Sequence, residues 1–421
     1  MRRRQADRRR LWQYLILGLL AGWYIVGTLR LFPDEITHFN ELVGGPDGGY
    51  RYLGDRTQDW GQSYKELRAY LRAHPGPELQ YAYFTPLHPG FYGVSFRSIF
   101  PSAEGEEEPA PFHPSPGRYV IGVSPLYGLT GYPPEMMDWF RRATPTAIVG
   151  HALLVYDVAA GPRWVAQCIA PAVPLDDDAI SDGFGRADMR RVDFDCTMTW
   201  LYPGSGGEVG AYALHHDLLT ERGRGFPDLL RRDPVPSDRF VARHLAGTRV
   251  SYEQRKDALL PAFALYERAG GAPSIPLPLP TYAAPVASVP KTLVDDPTLR
   301  LPVSLHGPLS LLGANATLFG DDLEVETWWR VTDGETTRLF SVMGHLLTED
   351  GEVLGLDDGL GISPLMLVPG DVLVQRHRFS RPPAGAQVWL RTGVYWLDTM
   401  EHWSVAGVGE DHALFIALQV E

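Results

Sequence analysis

The chain is 421 residues long, 44% hydrophobic and 21% charged, with a formal net charge of −13. That apolar fraction supports packed cores over two or three domains and excludes a disordered polypeptide. Six Arg against one Asp in the first ten residues leave −18 on the rest, without a basic patch. This excludes nucleic acid as a partner, because phosphate binding needs clustered Lys and Arg.

The N-terminus sets the topology. Residues 2–4 and 8–10 are arginine, and residues 11–29 are uncharged. About 20 apolar residues at 1.5 Å each cross a bilayer core. The basic tail, residues 1–10, stays in the cytoplasm by the positive-inside rule. Residues 11–31 are thus expected to be one transmembrane anchor, with the bulk of the chain extracytoplasmic, periplasmic or on the cell surface. A cleaved signal peptide is the competing reading, but the run exceeds a typical h-region and no small-x-small cleavage site follows it. Gly18 and Gly22 form a small-xxx-small pair suited to helix dimerisation.

Residues 32–160 read as an α/β extracytoplasmic domain. SYKELRAYLRAH at 63–74 puts Leu67, Tyr70 and Leu71 on one helical face, and Gly76 and Pro77 stop the helix. LQYAYF at 79–84 and YVIGV at 119–123 read as strands. PPEMMDWFRR at 133–142 reads as a helix with prolines in its first turn, and 147–158 as two β-branched runs. The acidic, proline-rich stretch 102–116 is expected to be an exposed loop.

Residues 161–268 read as a mixed α/β extension packed against the first domain. WVAQCIA at 164–170 and VDFDCTMTWLY at 192–202 are strand-like, with a helix start near Asp176 and Asp178 between them. AYAL at 211–214 is a further strand, and 226–244 and 252–266 carry short helical patterns. Cys168 and Cys196 are the two cysteines. Outside the cytoplasm such a pair fits a disulfide closing a loop of about 28 residues, valued near 3 kcal/mol by chain entropy. Two buried free thiols are the alternative. The absence of C-x-x-C argues against structural zinc and thioredoxin-type redox chemistry. Residues 269–302 are so rich in proline that a semi-rigid linker is expected. Residues 303–421 alternate apolar and polar residues between turn signals, which predicts a C-terminal antiparallel β-sandwich.

One segment carries a family resemblance. FNELVGGPDGGYRYLGDRTQDWGQSYKELRAYL, residues 39–71, resembles the segment that follows the last membrane helix in bacterial protein O-mannosyltransferase-like glycosyltransferases. These are polytopic enzymes that use polyprenyl-phosphate sugars. The resemblance extends to Tyr156 and Asp157 and implies an α/β extracytoplasmic tail; the C-terminal sandwich looks like a domain appended to some of these enzymes. The chain departs from them in having one apolar span instead of a catalytic multi-helix domain. Asp34 and Glu35 superficially resemble the family's catalytic Asp-Glu, yet beside a single span they read as an interfacial turn.

The candidate site residues follow from side-chain chemistry. Asp55, Asp59, Trp60 and Gln62 could clasp a sugar ring, with carboxylates and amide bonding hydroxyls and the indole face packing on C–H groups. Asp55 and Asp59 are also the candidate catalytic pair if the chain is a glycoside hydrolase or transferase, which needs two carboxyls about 5–9.5 Å apart. The structural alternative has Asp59 capping the helix that starts at Ser63. In the sandwich, Trp328, Trp329 and Trp396 are candidate glycan-binding residues, since one ring of an adjacent pair on a strand faces away from the core. His215, His216 and Asp217 lack a second convergent ligand pair, and Asp357-Asp358-Gly359 reads as a turn, so no metal or other cofactor is expected. The resulting expectation is a membrane-anchored, non-catalytic accessory or glycan-binding protein. Its expected partners are a polytopic glycosyltransferase, another envelope protein or a glycan. The alternatives are a glycan-processing enzyme and a structural envelope subunit.

Overall fold

The structure is a computed structural model that describes residues 2–32, 35–52, 59–85, 87–100, 110–128, 134–223, 232–254, 262–276, 279–286, 298–334, 336–409 and 411–419. Two units divide it. The first is Met1–Ala160 with Gly183–Gly185 and Glu221–Asp233, and the second comprises Gly161–Asp182, Arg186–Thr220 and Pro234–Glu421.

Unit one begins with α1 (Arg2–Arg30). Its 19 residues Trp12–Arg30 are long and apolar enough to cross a membrane. At 1.5 Å per residue they reach about 28 Å, close to the hydrocarbon thickness. Leu19, Tyr24 and Leu29 are exposed on it, unlike the side chains of a core helix.

Behind α1, β1 (Leu79–Ala82), β2 (Arg97–Ser98), β3 (Gly117–Gly122), β4 (Ala147–Val149) and β5 (Leu153–Val158) form one sheet in the order β2-β1-β3-β5-β4. β1 runs parallel to both neighbours, whereas β5 runs antiparallel to both β3 and β4. Strand alternation splits this sheet between two cores. Leu79, Tyr81, Val120 and Val155 pack with Tyr64 and Leu67 of α2 (Tyr64–Ala73). Tyr119, Ile121, Leu154 and Tyr156 pack with Val123 and Leu126 of α3 (Val123–Leu126) and with Trp139 and Phe140 of α4 (Asp138–Arg142). Burial on both faces explains the near-continuous apolar runs of β3 and β5.

Unit two contains three five-stranded sheets. The first joins β6 (Trp164–Cys168), β7 (Arg190–Phe194), β9 (Gly210–His215), β12 (Arg249–Gln254) and β13 (Phe263–Arg268) in the order β12-β13-β9-β6-β7. The described ends of 252–266 are thus strands, not helix. Burial of Tyr252 on β12 and of Phe263–Tyr266 on β13, which pairs with both β12 and β9, overrides the short helical spacing. The run 192–202 is two strands, since a turn at Asp195, whose carboxylate accepts the Thr197 N–H, separates β7 from β8 (Thr199–Tyr202). α5 (Asp177–Phe184) starts where expected, with the Asp176 carboxylate accepting the Ala179 N–H at 2.8 Å. A two-stranded ribbon, β10 (Leu219–Gly223) with β11 (Arg232–Pro236), precedes α6 (Arg239–His244).

The other two sheets are antiparallel. One has the order β15-β16-β17-β20-β8, from β15 (Val303–Ser304), β16 (Leu309–Phe319), β17 (Asp322–Val331) and β20 (Val372–Ser380) together with β8. The other has the order β14-β22-β21-β18-β19, from β14 (Thr281–Pro285), β18 (Phe340–Thr348), β19 (Val353–Leu356), β21 (Gln387–Trp396) and β22 (His412–Gln419). One apolar core runs through residues of all three sheets.

This overturns two expected boundaries. Apart from Gly183–Gly185 and Glu221–Asp233, the extension 161–268 belongs with residues 303–421, donating β8 to β20, and it shares their core. Residues 269–302 are not a spacer over their described part, because β14 pairs with β22 along five residues from Thr281 to Pro285. Proline is tolerated there because β14 is an edge strand, whose outward side needs no N–H donor.

Two covalent and ionic ties hold unit two. Cys168 and Cys196 are disulfide-bonded across 28 residues, at the ends of the adjacent parallel strands β6 and β7, and both are fully buried. Asp371, also fully buried, accepts both terminal nitrogens of Arg190 (2.7 and 2.6 Å), Gly204 N–H (2.9 Å) and Val368 N–H (3.0 Å). Replacing both cysteines by Ala is expected to lower unfolding free energy by about 3 kcal/mol, read by urea titration without reductant. An unchanged midpoint would refute this. Asp371→Ala leaves Arg190 half-buried and unpaired on that side, so a loss of about 3–5 kcal/mol is expected in the same titration.

Candidate functional site

The site begins where the chain enters α2. Gly61 adopts φ +100°, a left-handed turn that favours glycine, and a Cβ there would sit 3.1 Å from Leu87. The turn lets the Asp59 carboxylate accept Gly61 N–H at 2.9 Å and meet Ser63 through both its backbone and its hydroxyl. Trp60 N–H donates to Gln62 Oε1 at 2.7 Å. The indole is left 52% exposed, with Phe84, Leu87 and Phe91 also exposed. Asp59, Trp60 and Gln62 are therefore brought together, and Asp59 also supports the helix entry. Asp55 and Asp34 lie outside the described residues.

Aromatic residues back this turn. Tyr64 Oη donates to the Leu87 carbonyl at 3.2 Å, and Tyr81 lies edge-on to Tyr64 at 6.3 Å. Tyr83, Phe96 and His88 continue the cluster. Burial pushes the Asp59 carboxyl above its ordinary value despite its bonds to Gly61 and Ser63. Burial also pushes Tyr64 up to about 12 and Tyr81 well above 10, with the Asp59 charge adding to both.

Ser63 connects the turn to a second polar pair. Its hydroxyl donates to the Gly150 carbonyl at 3.3 Å, and the next residue, His151, places Nδ1 2.6 Å from Asp47 Oδ1. Gly150 and His151 both have positive φ, +56° and +60°. For histidine that backbone is strained by about 1–2 kcal/mol, and the Asp47 contact helps hold it. Ser63, Tyr64 and Tyr81 are buried, so the exposed chemistry of the turn is the Trp60 indole beside the partly exposed Asp59 carboxyl, a pairing that suits a polyhydroxylated ligand better than a purely apolar one.

The tryptophans of unit two make no such surface. Trp328 and Trp329 are 5% and 0% exposed, so the adjacent pair has no solvent-facing ring. Trp329 lies in the core, and Trp328 is covered on the opposite face by Tyr202 at 5.9 Å and His244 at 5.6 Å. The expectation failed because Tyr202 of β8, in the same sheet, and His244 of α6 pack on Trp328, so both faces of β17 are buried there. Trp396 is half-buried, against Trp403 at 4.7 Å and beneath the Arg338 guanidinium at 4.3 Å.

Two polar clusters escaped the sequence reading. Glu324 and Glu326, two apart on β17, look like solvent-facing positions in the run LEVETWW, yet both are buried. Arg376 holds Glu324 (2.6 Å) and Asp238 (2.9 Å), and Arg243 bonds both Glu324 and Glu326. On β18, His345 lies between Asp358 (3.1 Å) and Arg391 (2.8 Å), and Asp358 also accepts from Tyr395 Oη and Gly344 N–H. Burial alone would raise the Asp358 carboxyl, but these donors outweigh it and hold it below its ordinary value. His215 and Asp217 form a local turn, the imidazole accepting Asp217 N–H at 3.2 Å.

No protein-family model and no curated protein matches the chain.

The Asp59 carboxyl titrates higher in the folded than in the unfolded chain, so it costs stability once pH rises through its raised value. The cost disappears below the ordinary carboxylate range. Asp59→Asn is expected to stabilise the protein at pH 7, with the gain vanishing as pH falls to about 3. Thermal melts across that range check it, and a pH-independent effect would rule it out.

Proposed function

We propose that the chain is a membrane-anchored, extracytoplasmic, non-catalytic glycan-binding protein. On this reading α1 is a single-pass anchor with its N-terminus in the cytoplasm, and the two antiparallel sheets of unit two are the halves of a β-sandwich. The ligand site is the α2 entry turn in unit one, with Trp60 packing on the C–H face of a sugar. Asp59 is the polar group beside it, and Ser63, buried beneath, links the turn to the Asp47–His151 pair. The observation that carries the reading is Trp60: a large indole half exposed beside a half-buried carboxyl and a tyrosine cluster. The resemblance of residues 39–71 to the tail of membrane glycosyltransferases points the same way and makes such an enzyme the expected partner.

The test is a glycan array probed with the full chain in detergent micelles. Trp60→Ala is expected to weaken binding about ten-fold or more, the loss of one stacking contact of about 1.4 kcal/mol. Trp396→Ala should leave binding unchanged. No glycan bound, or equal binding by wild type and Trp60→Ala, would refute the proposed site.

A further inference from the structure

We infer that the sheet edge at β19 docks an extended polypeptide in which apolar residues alternate with Lys or Arg. β19 ends its sheet and pairs, among the described residues, with β18 alone. Its sequence is Val353, Leu354, Gly355, Leu356, and the three large residues are 54%, 46% and 64% exposed. An edge strand normally carries Lys, Pro or another device against further pairing. β19 has no Lys or Pro; its protection is limited to its four-residue length and a bulge at Leu354, and its side chains are apolar on both faces.

The strand is also held in place to receive a partner. Gly355 is backed by Phe379, so close that a Cβ would come within 2.9 Å. Just past the strand, the Asp357 carboxylate accepts Arg378 N–H at 2.6 Å and Asp358 accepts Gly344 N–H at 2.8 Å. A fixed edge reduces the ordering cost of adding a strand, whose main-chain bonds supply affinity and whose alternate side chains supply specificity.

Charge selects the occupant. Glu349, Asp350 and Glu352 precede β19, and Asp357 and Asp358 follow it. Antiparallel pairing with a second copy would set one acidic end against the other, which is unfavourable. A strand with Lys or Arg at alternate positions meets acids at both ends and apolar side chains between them. This inference is independent of the glycan reading.

The experiment uses the full chain in detergent micelles with two fluorescent ten-residue peptides, one alternating Val and Lys, the other Val and Glu. Anisotropy is expected to show the basic peptide binding about ten-fold tighter or more. Hydrogen exchange should slow at residues 353–356. Val353→Thr with Leu356→Thr puts β-branched, strand-forming residues at both positions and should weaken binding. Glu349→Gln with Glu352→Gln should remove most of the preference for the basic peptide. Equal affinity for both peptides, or protection elsewhere, would overturn the inference. So would self-association that the threonine variant abolishes, which would make a second copy the occupant.

Discussion

The buried Asp371 carboxylate is the constraint on which unit two depends. It accepts from Arg190 at the start of β7, from the turn after β8 and from the turn before β20, so segments more than 160 residues apart must converge on it. Convergence sets β8 beside β20, Thr199 to Tyr202 against Gln375 to Val372. With β8 in place, Trp200 and Tyr202 extend the face of β17 that carries Glu324, Glu326 and Trp328. α6 then brings Phe240, Arg243 and His244 over it. Covering two glutamates requires cations, and Arg376 and Arg243 supply them. A buried carboxylate without such partners would cost several kcal/mol. One ionic anchor thus leads to a dry, charged layer where an isolated strand would have shown a wet face.

What the sequence made legible was local. α2 announces itself by its periodicity and α1, β1, β3 and β5 by their apolar runs, because what each element buries is written in its own residues. The pairings of β8 with β20 and β14 with β22 are not written that way. Their partners lie more than 125 residues off, and the proline-dense surroundings of β14 look like a linker until an edge position excuses them. Trp328 failed for the same reason: alternation says which way a ring points, never what another segment will lay over it. A fragment cut at residue 303 would lose strands from both sheets and bare two edges.

In unit one, the structural and the ligand-binding readings of Asp59 are not rivals. The carboxylate braces the turn into α2, and the brace is what presents Trp60 outward and draws Ser63 to Gly150. Periodicity located the turn, and residue chemistry named Asp59, Trp60 and Gln62. Asp47 and His151 were out of reach, since 104 residues separate them and the contact depends on a left-handed backbone that a histidine seldom adopts.

The disulfide constrains the order of events in the protein's making. Both sulfur-bearing residues are sealed in the unit-two core, beyond the reach of an oxidant in solvent. The bond must therefore close while the β6 and β7 region is still accessible, before Trp200 and its neighbours pack over it. The oxidant accordingly acts on an open chain and not on the finished fold. Once buried, the same bond is shielded from thiol exchange, which needs a thiolate to reach the sulfur.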